Sequence, residues 1–439
     1  MGLKDIIITP IYIILFTAIA YFIRPYVTNA ATRKYFLPSL WVRFAGAIFL
    51  GLIYQFYYDG GDTFSYWTHG SQWIWKAFLE DPITALHMIF GPNELSPENF
   101  KYAKHIWFFY DSDSYFVVRI AGLFDIFTFG TYTSSAIFFA IFSWSGAWSL
   151  YWKIDNRYQG QSLKFAIIIL FVPSVVFWGS GLLKDSLSLG SFCWLAYSLL
   201  NIADSKKIKI KTLIVLIISV WLIINIKPYI FYCAIPPAAL WIYLVQIKKI
   251  RTSFLKILAG PIILFFFVLS SYLSIDFLTK ESSYYSLDNF AKRAWITAYD
   301  IRYYTGKNAG SGYSLGEQDG TIENMVKLLP EAIFVSLYRP FLWEVRNPFM
   351  MLMSIESFIL LLLTFRFFGK ESLWKIFNDP FLVFCLSFSI LFGFAVGVST
   401  YNFGTLMRYK IPMMSLFLIF ITVSRREARD LENKNRVHI

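Results

Sequence analysis

The sequence predicts an all-α polytopic membrane protein, and three observations predict it. Of 439 residues, 57% are apolar and 15% charged, with a mean hydropathy of +0.52, which leaves too little charge to cover a water-soluble surface of that size. Apolar runs recur that approach the roughly 20 helical residues a bilayer core requires. The aromatic share is 20%, with 15 Trp and 28 Tyr beside 46 Phe, as suits rings that populate two membrane interfaces as well as a packed interior.

In chain order the runs predict about eleven transmembrane helices, at 6–23, 40–57, 131–150, 165–182, 186–203, 212–226, 229–246, 257–274, 347–367, 380–398 and 411–424. The first carries Ala18-Ile19-Ala20, which resembles a signal-peptidase site, but Lys4 is offset by Asp5 and the run reads as a helix. The interrupted apolar segments 82–90, 114–129 and 322–343 read as interfacial or re-entrant helices. No repeat and no soluble boundary divides the chain, so residues 1–439 read as a single transmembrane domain with long outer loops at 58–130 and 275–346.

A net charge of +12 and a pI near 9.3 do not point to nucleic acid, because the bases fall in short clusters between apolar runs. The clusters alternate: Arg24, Arg33, Lys34 and Arg43; Lys153, Arg157 and Lys164; Lys206 to Lys211; Lys248 to Lys256; Arg366 to Lys375; and the tail from Arg425. Short basic loops mark the cytoplasm, which predicts an N-terminus outside, a C-terminus inside and residence in the plasma membrane. Cys193, Cys233 and Cys385 lie in apolar segments without disulfide or metal spacing.

Three constellations can carry chemistry. In Tyr57-Tyr58-Asp59-Gly60-Gly61-Asp62-Thr63-Phe64-Ser65-Tyr66, two carboxylates three residues apart can place one acid against a reacting hydroxyl while the other orients it. A solvated turn with Asp59 or Asp62 capping the next helix is the plainer alternative, and both stay open. In Pro173-Ser174 through Gly179-Ser180-Gly181-Leu182-Leu183-Lys184-Asp185, proline and small residues should loosen a helix end and leave Lys184 and Asp185 where a lipid phosphate lies, or else form a tight hairpin. Finally, Lys227, Arg339, Arg346, Arg408 and Lys410 are stranded on the less basic face, where Arg offers a fork for phosphate and Lys a point charge; as a group they favour an anionic ligand.

Metal chemistry has little sequence support. His69, His87, His105 and His438 have no histidine partner at helical spacing, although Asp59, Asp62, Asp111 and Asp113 could hold a hard divalent ion through oxygens. GxSxG, P-loop and dinucleotide patterns are missing, so no cofactor is expected.

At these residues the chain resembles the GT-C superfamily of polyprenyl-phosphate-dependent glycosyltransferases. Asp62-Thr63-Phe64-Ser65-Tyr66 matches the Asp and Tyr of that family's D-E-x-x-Y pattern and departs at Thr63, where a second acid stands, although Asp59 could substitute. The 173–185 region and Arg408-Tyr409-Lys410 resemble patterns in bacterial surface-polysaccharide proteins. The resemblance implies transfer of a sugar from a polyprenyl-phosphate donor to a glycan, lipid or protein acceptor at the outer membrane face, usually with inversion. In that scheme Asp62, with Asp59, takes the acceptor proton; Lys184, Lys227, Arg339, Arg346, Arg408 and Lys410 hold the leaving phosphate; and Tyr66, Asp185, Glu344 and Tyr409 support them. A polysaccharide polymerase and a flippase of lipid-linked sugars are the alternatives.

Overall fold

The computed structural model describes residues 2–205, 207–249, 287–305, 311–316, 318–368 and 379–437. Among them the regular structure is helical: α1 Leu3–Val27, α2 Arg33–Phe56, α3 Asp62–Tyr66, a π-helical turn Trp67–Ser71, α4 Gln72–Glu80, α5 Pro82–Phe90, α6 Phe100–Ala103, α7 Ser112–Thr128, α8 Tyr132–Arg157, α9 Ser162–Leu170, α10 Pro173–Trp178, α11 Lys184–Asp204, α12 Ile210–Ile226, α13 Pro228–Lys249, α14 Leu287–Thr305, α15 Ile322–Lys327, α16 Leu329–Tyr338, α17 Pro348–Phe368, α18 Pro380–Thr400, α19 Phe403–Tyr409 and α20 Ile411–Val437. A 3₁₀ turn occupies Leu342–Glu344.

Among the described residues six helices are long and apolar enough to cross a membrane, namely α1, α2, α11, α13, α17 and α18, with α13 and α17 qualifying over most of their length. The number reaches eight if α7 with α8, bent by 117°, and α19 with α20, bent by 65°, each count as one span. These are the helices of a multi-pass membrane protein, and the described residues do not confirm the count of about eleven. The expected span at 165–182 is broken into α9, α10 and the buried turn 179–183, because Pro173 cannot extend the preceding helix. α12 has only 17 residues, the expected spans at 131–150 and 411–424 are halves of the bent pairs, and 257–274 lies outside the described residues.

The chain divides into two compact units, Met1–Pro228 and Tyr229–Ile439. In the first, α8 is central and packs against α1, α2, α9 and α11. Without a hydrophobic drive between helices in lipid, close backbone approach has to supply the packing. At the α8–α11 crossing Gly146 faces Gly190, where an added Cβ would stand 2.2 Å from the Gly190 carbonyl oxygen. Asp5 of α1 accepts from the Thr133 amide at 2.7 Å, satisfying a first-turn donor of α8.

Contacts also sort the ends of this unit. Lys153 pairs with Asp204 at 2.9 Å, Arg157 pairs with the same carboxylate, and the Trp148 indole donates to the Val27 carbonyl at 3.2 Å. The C-terminal ends of α1, α8 and α11 and the start of α2, each flanked by basic residues, therefore lie at one end of the unit. Arg43 is the exception: expected with that cluster, it is fully buried inside the unit.

In the second unit α18 packs against α14, α16 and α20. Phe381, Phe384, Phe388 and Phe392 form a column of rings along α18, joined by Trp241 and Tyr229 of α13.

Candidate functional site

The buried interruption between α9 and α11 raises the question of where its backbone hydrogen bonds go. Side chains from elsewhere in the unit supply them. Arg43 Nη1 donates to the Val175 and Gly179 carbonyls at 3.0 and 2.9 Å, Ser180 Oγ to Val176 at 2.5 Å, Ser186 Oγ to Gly181 at 2.6 Å and Thr63 Oγ1 to Leu182 at 3.0 Å. Arg43 also reaches Ser143 Oγ at 3.3 Å, while its Nε and Nη2 have no hydrogen-bond partner among the described residues. The segment is thus a built irregular strand of chain and not a frayed helix end.

Thr63 links this segment to the acidic turn. At the end of α2 the chain reverses through Asp59, Gly60 and Gly61 with φ of 52°, 123° and 107°, a run of left-handed residues that glycine adopts readily. The Gly60 amide donates to the Tyr54 carbonyl at 2.8 Å, and a Cβ on Gly61 would come within 2.9 Å of the Tyr54 ring. Gly61, not Asp59 or Asp62, is the N-cap of α3; Asp62 is its first helical residue, and both carboxylates are exposed. Thr63 is fully buried, 2.7 Å from the Tyr132 hydroxyl and donating to Leu182, so Tyr132 donates to it in turn. A carboxylate at 63 would be buried against a carbonyl oxygen, so this position does not suit an acid.

Asp62 is thereby one residue from a hydrogen bond whose other end lies two residues before Lys184. Lys184, half-buried, opens α11, and Asp185 behind it is buried and paired with Lys227 at 2.5 Å. Their side chains are 1% and 7% exposed, so Lys227 neutralises Asp185 inside the unit. Asp185 does not cap α11, whose N-cap is Leu183. Tyr66, expected as a supporting residue, is buried against Phe108, with ring centres 4.9 Å apart.

The bases of the second unit divide as well. Arg339 is held by Glu344 through Nε at 3.0 and 3.1 Å and through a further contact of Nη2, and its guanidinium lies over the rings of Phe403 and Tyr313, 5.3 and 5.8 Å from their centres. Burial alone would raise the Glu344 carboxyl, but Arg339 and the Phe341 amide, at 2.8 Å, outweigh it and hold the group below its ordinary value. Lys410 is fully buried at the bend between α19 and α20, and its Nζ has no hydrogen-bond partner among the described residues. Arg346 is exposed, and Arg408 and Tyr409 are half-buried. The structure therefore brings Asp59, Asp62, Lys184, Asp185 and Lys227 into one unit and leaves Arg339, Glu344, Arg346, Arg408, Tyr409 and Lys410 in the other.

Asp111 accepts from Ser114 Oγ at 2.5 Å, and no three His, Cys, Asp or Glu side chains gather as metal ligands among the described residues. Two residues had no functional signal in the sequence: Arg43, and the fully buried Asp125, which accepts from Ser135 at 2.5 Å and Gln72 at 3.3 Å beside the α7–α8 bend. No family model, curated protein or solved structure matches the chain.

Proposed function

We propose that the protein is a membrane glycosyltransferase that moves a sugar from a polyprenyl-phosphate donor to an acceptor at the outer face of the plasma membrane, with the N-terminus outside and the C-terminus in the cytoplasm. The observation that carries this reading is the Thr63–Leu182 hydrogen bond, which couples the exposed acids of the 59–62 turn to the turn that ends at Lys184. In the reaction, Asp62 accepts the proton of an acceptor hydroxyl, and that oxygen bonds to the anomeric carbon. The bond from that carbon to the phosphate oxygen breaks, and the polyprenyl phosphate departs with its charge offset by Lys184. Asp59 orients the acceptor. Lys227, paired with Asp185, serves to fix the start of α11 and does not meet the phosphate directly.

The test is sugar transfer from a panel of polyprenyl-phosphate sugars by purified full-length protein in detergent. Asp62→Asn should keep its fold and donor binding and lose roughly 10²-fold or more in turnover per folded molecule, with Asp59→Asn milder. Wild-type turnover in Asp62→Asn would remove the residue from the mechanism. Chains longer than one added sugar would mean a polymerase. A flippase is the second reading, favoured by an interrupted helix in each unit; it predicts movement of lipid-linked sugar across liposomes with no new glycosidic bond.

A further inference from the structure

The segment 91–111 mixes charged residues with turn residues and aromatics, and its aromatics are divided by burial. Ile106 and Phe109 are buried, Phe109 packs on Tyr115 with ring centres 4.9 Å apart, and Phe108 packs on Tyr66. Between these anchors Trp107 is turned out, 66% exposed. Its amide donates to the His69 carbonyl at 3.0 Å, and the His69 imidazole lies parallel to its indole, with ring centres 3.7 Å apart and planes 3° from parallel. A second stack of the same kind, Trp73 on His105 at 4.0 Å, ties the same stretch of chain to α4.

An indole fixed on one face by imidazole, held by its own amide and exposed elsewhere is a prepared stacking surface. A bilayer surface is one candidate occupant. The exposed charges of the same segment argue against it: Glu94, Glu98 and Asp111 accompany Lys101 and Lys104, whereas an anionic membrane surface selects a basic excess. Carbohydrate fits better, because the C–H bonds on one face of a pyranose meet the negative face of an indole, and the segment that carries the ring also offers exposed groups of both signs to hydroxyls. Position agrees. His69 lies seven residues from Asp62, through α3 and into the π-helical turn that kinks at His69, a path on the order of 10 Å, the scale of a short oligosaccharide.

We propose that the open face of Trp107, braced from behind by His69, is a subsite for a pyranose ring of the acceptor glycan; the assignment to an acceptor rests on the glycosyltransferase reading. The test uses the full-length protein in lipid nanodiscs and, as probe, neutral oligosaccharides released by partial acid hydrolysis of the source cell's surface polysaccharide, with binding read by saturation-transfer NMR. Wild type should bind, Trp107→Phe should stay within about threefold of it, and Trp107→Ala should weaken binding about tenfold or more. Thermal unfolding confirms that the variants are folded. No binding by wild type, or equal binding by Trp107→Ala, overturns the subsite. So does quenching of Trp107 fluorescence, taken as the difference between wild type and Trp107→Phe, by brominated lipid, which would assign the ring to the bilayer. Because binding is read without turnover, a bound oligosaccharide with no transfer activity would defeat the transferase reading alone, and transfer with an indifferent Trp107→Ala would defeat the subsite alone.

Discussion

The interruptions at α19–α20 and at α9–α11 break a helix by different physics. Between α19 and α20 the bend is local. The Lys410 amide donates to the Leu406 carbonyl at 3.0 Å, the Lys410 carbonyl accepts from the Met413 and Met414 amides, and Pro412 stands where a first-turn amide needs no partner. Between α9 and α11 the interruption is longer and buried, and its carbonyls depend on Arg43, Thr63 and Ser186 as well as on its own Ser180. A local bend is self-sufficient, whereas a buried irregular segment is held by residues distant in sequence, so damage to it should come from afar.

The largest effect that would sharpen this contrast lies at the end of the longer interruption. Lys227→Met leaves Asp185 buried without its counter-charge and should destabilise the folded protein by about 3–5 kcal/mol, while the double change Asp185→Leu with Lys227→Met should recover most of that. Thermal unfolding in detergent checks it. Additive losses in the double variant would mean that the pair is not coupled and that α11 begins where it does for another reason.

Next in size is the comparison of the interruptions themselves. Arg43→Met removes the donor to the Gly179 carbonyl, whereas the Val175 carbonyl keeps the Gly179 amide at 3.1 Å. One orphaned buried carbonyl costs about 1–3 kcal/mol, lessened here because a buried charge is removed with it, so roughly 2 kcal/mol is expected. Pro412→Ala should change stability by about 0.5 kcal/mol or less. Equal losses at the two positions would break the distinction between a supported interruption and a local one.

The same distinction explains what the sequence made legible. Helices α1, α2, α11, α13, α17 and α18 coincide with apolar runs, because lipid burial writes itself as uninterrupted hydropathy. Residues 165–182 carry a run of the same kind, and Pro173 and Gly179-Ser180-Gly181 marked the loosening of its end but not the buried turn, since nothing local states that Arg43, more than a hundred residues earlier, can satisfy those carbonyls. Arg43 itself stands near the start of a span, where hydropathy cannot distinguish a loop base from a buried one. Thr63 was visible only as a departure from a pattern, and its role emerged when Tyr132 and Leu182 came to meet it. The acids at 59 and 62 were legible because the turn that carries them, Asp59-Gly60-Gly61, is local chemistry.

The smallest expected effect concerns the other ion pair, Arg339–Glu344, whose side chains are 20% and 18% exposed and therefore better hydrated than Lys227 and Asp185. Glu344 is held below its ordinary value by Arg339 and the Phe341 amide against the opposing effect of burial. A carboxyl whose folded value is depressed contributes stability that is present above its unfolded value and lost as pH falls through the folded one. Wild type should accordingly lose more unfolding temperature than Glu344→Gln as the pH is lowered through the acidic range, with the difference amounting to about 1 kcal/mol or less because water screens the pair. Other carboxylates titrate in both proteins, so the difference between the two curves isolates this pair. Parallel curves would show that Arg339 holds the 339–344 turn through the faces of Tyr313 and Phe403 and owes nothing to its acid, whereas a difference as large as that between wild type and Lys227→Met would mean that the second unit, too, depends on a desolvated charge pair.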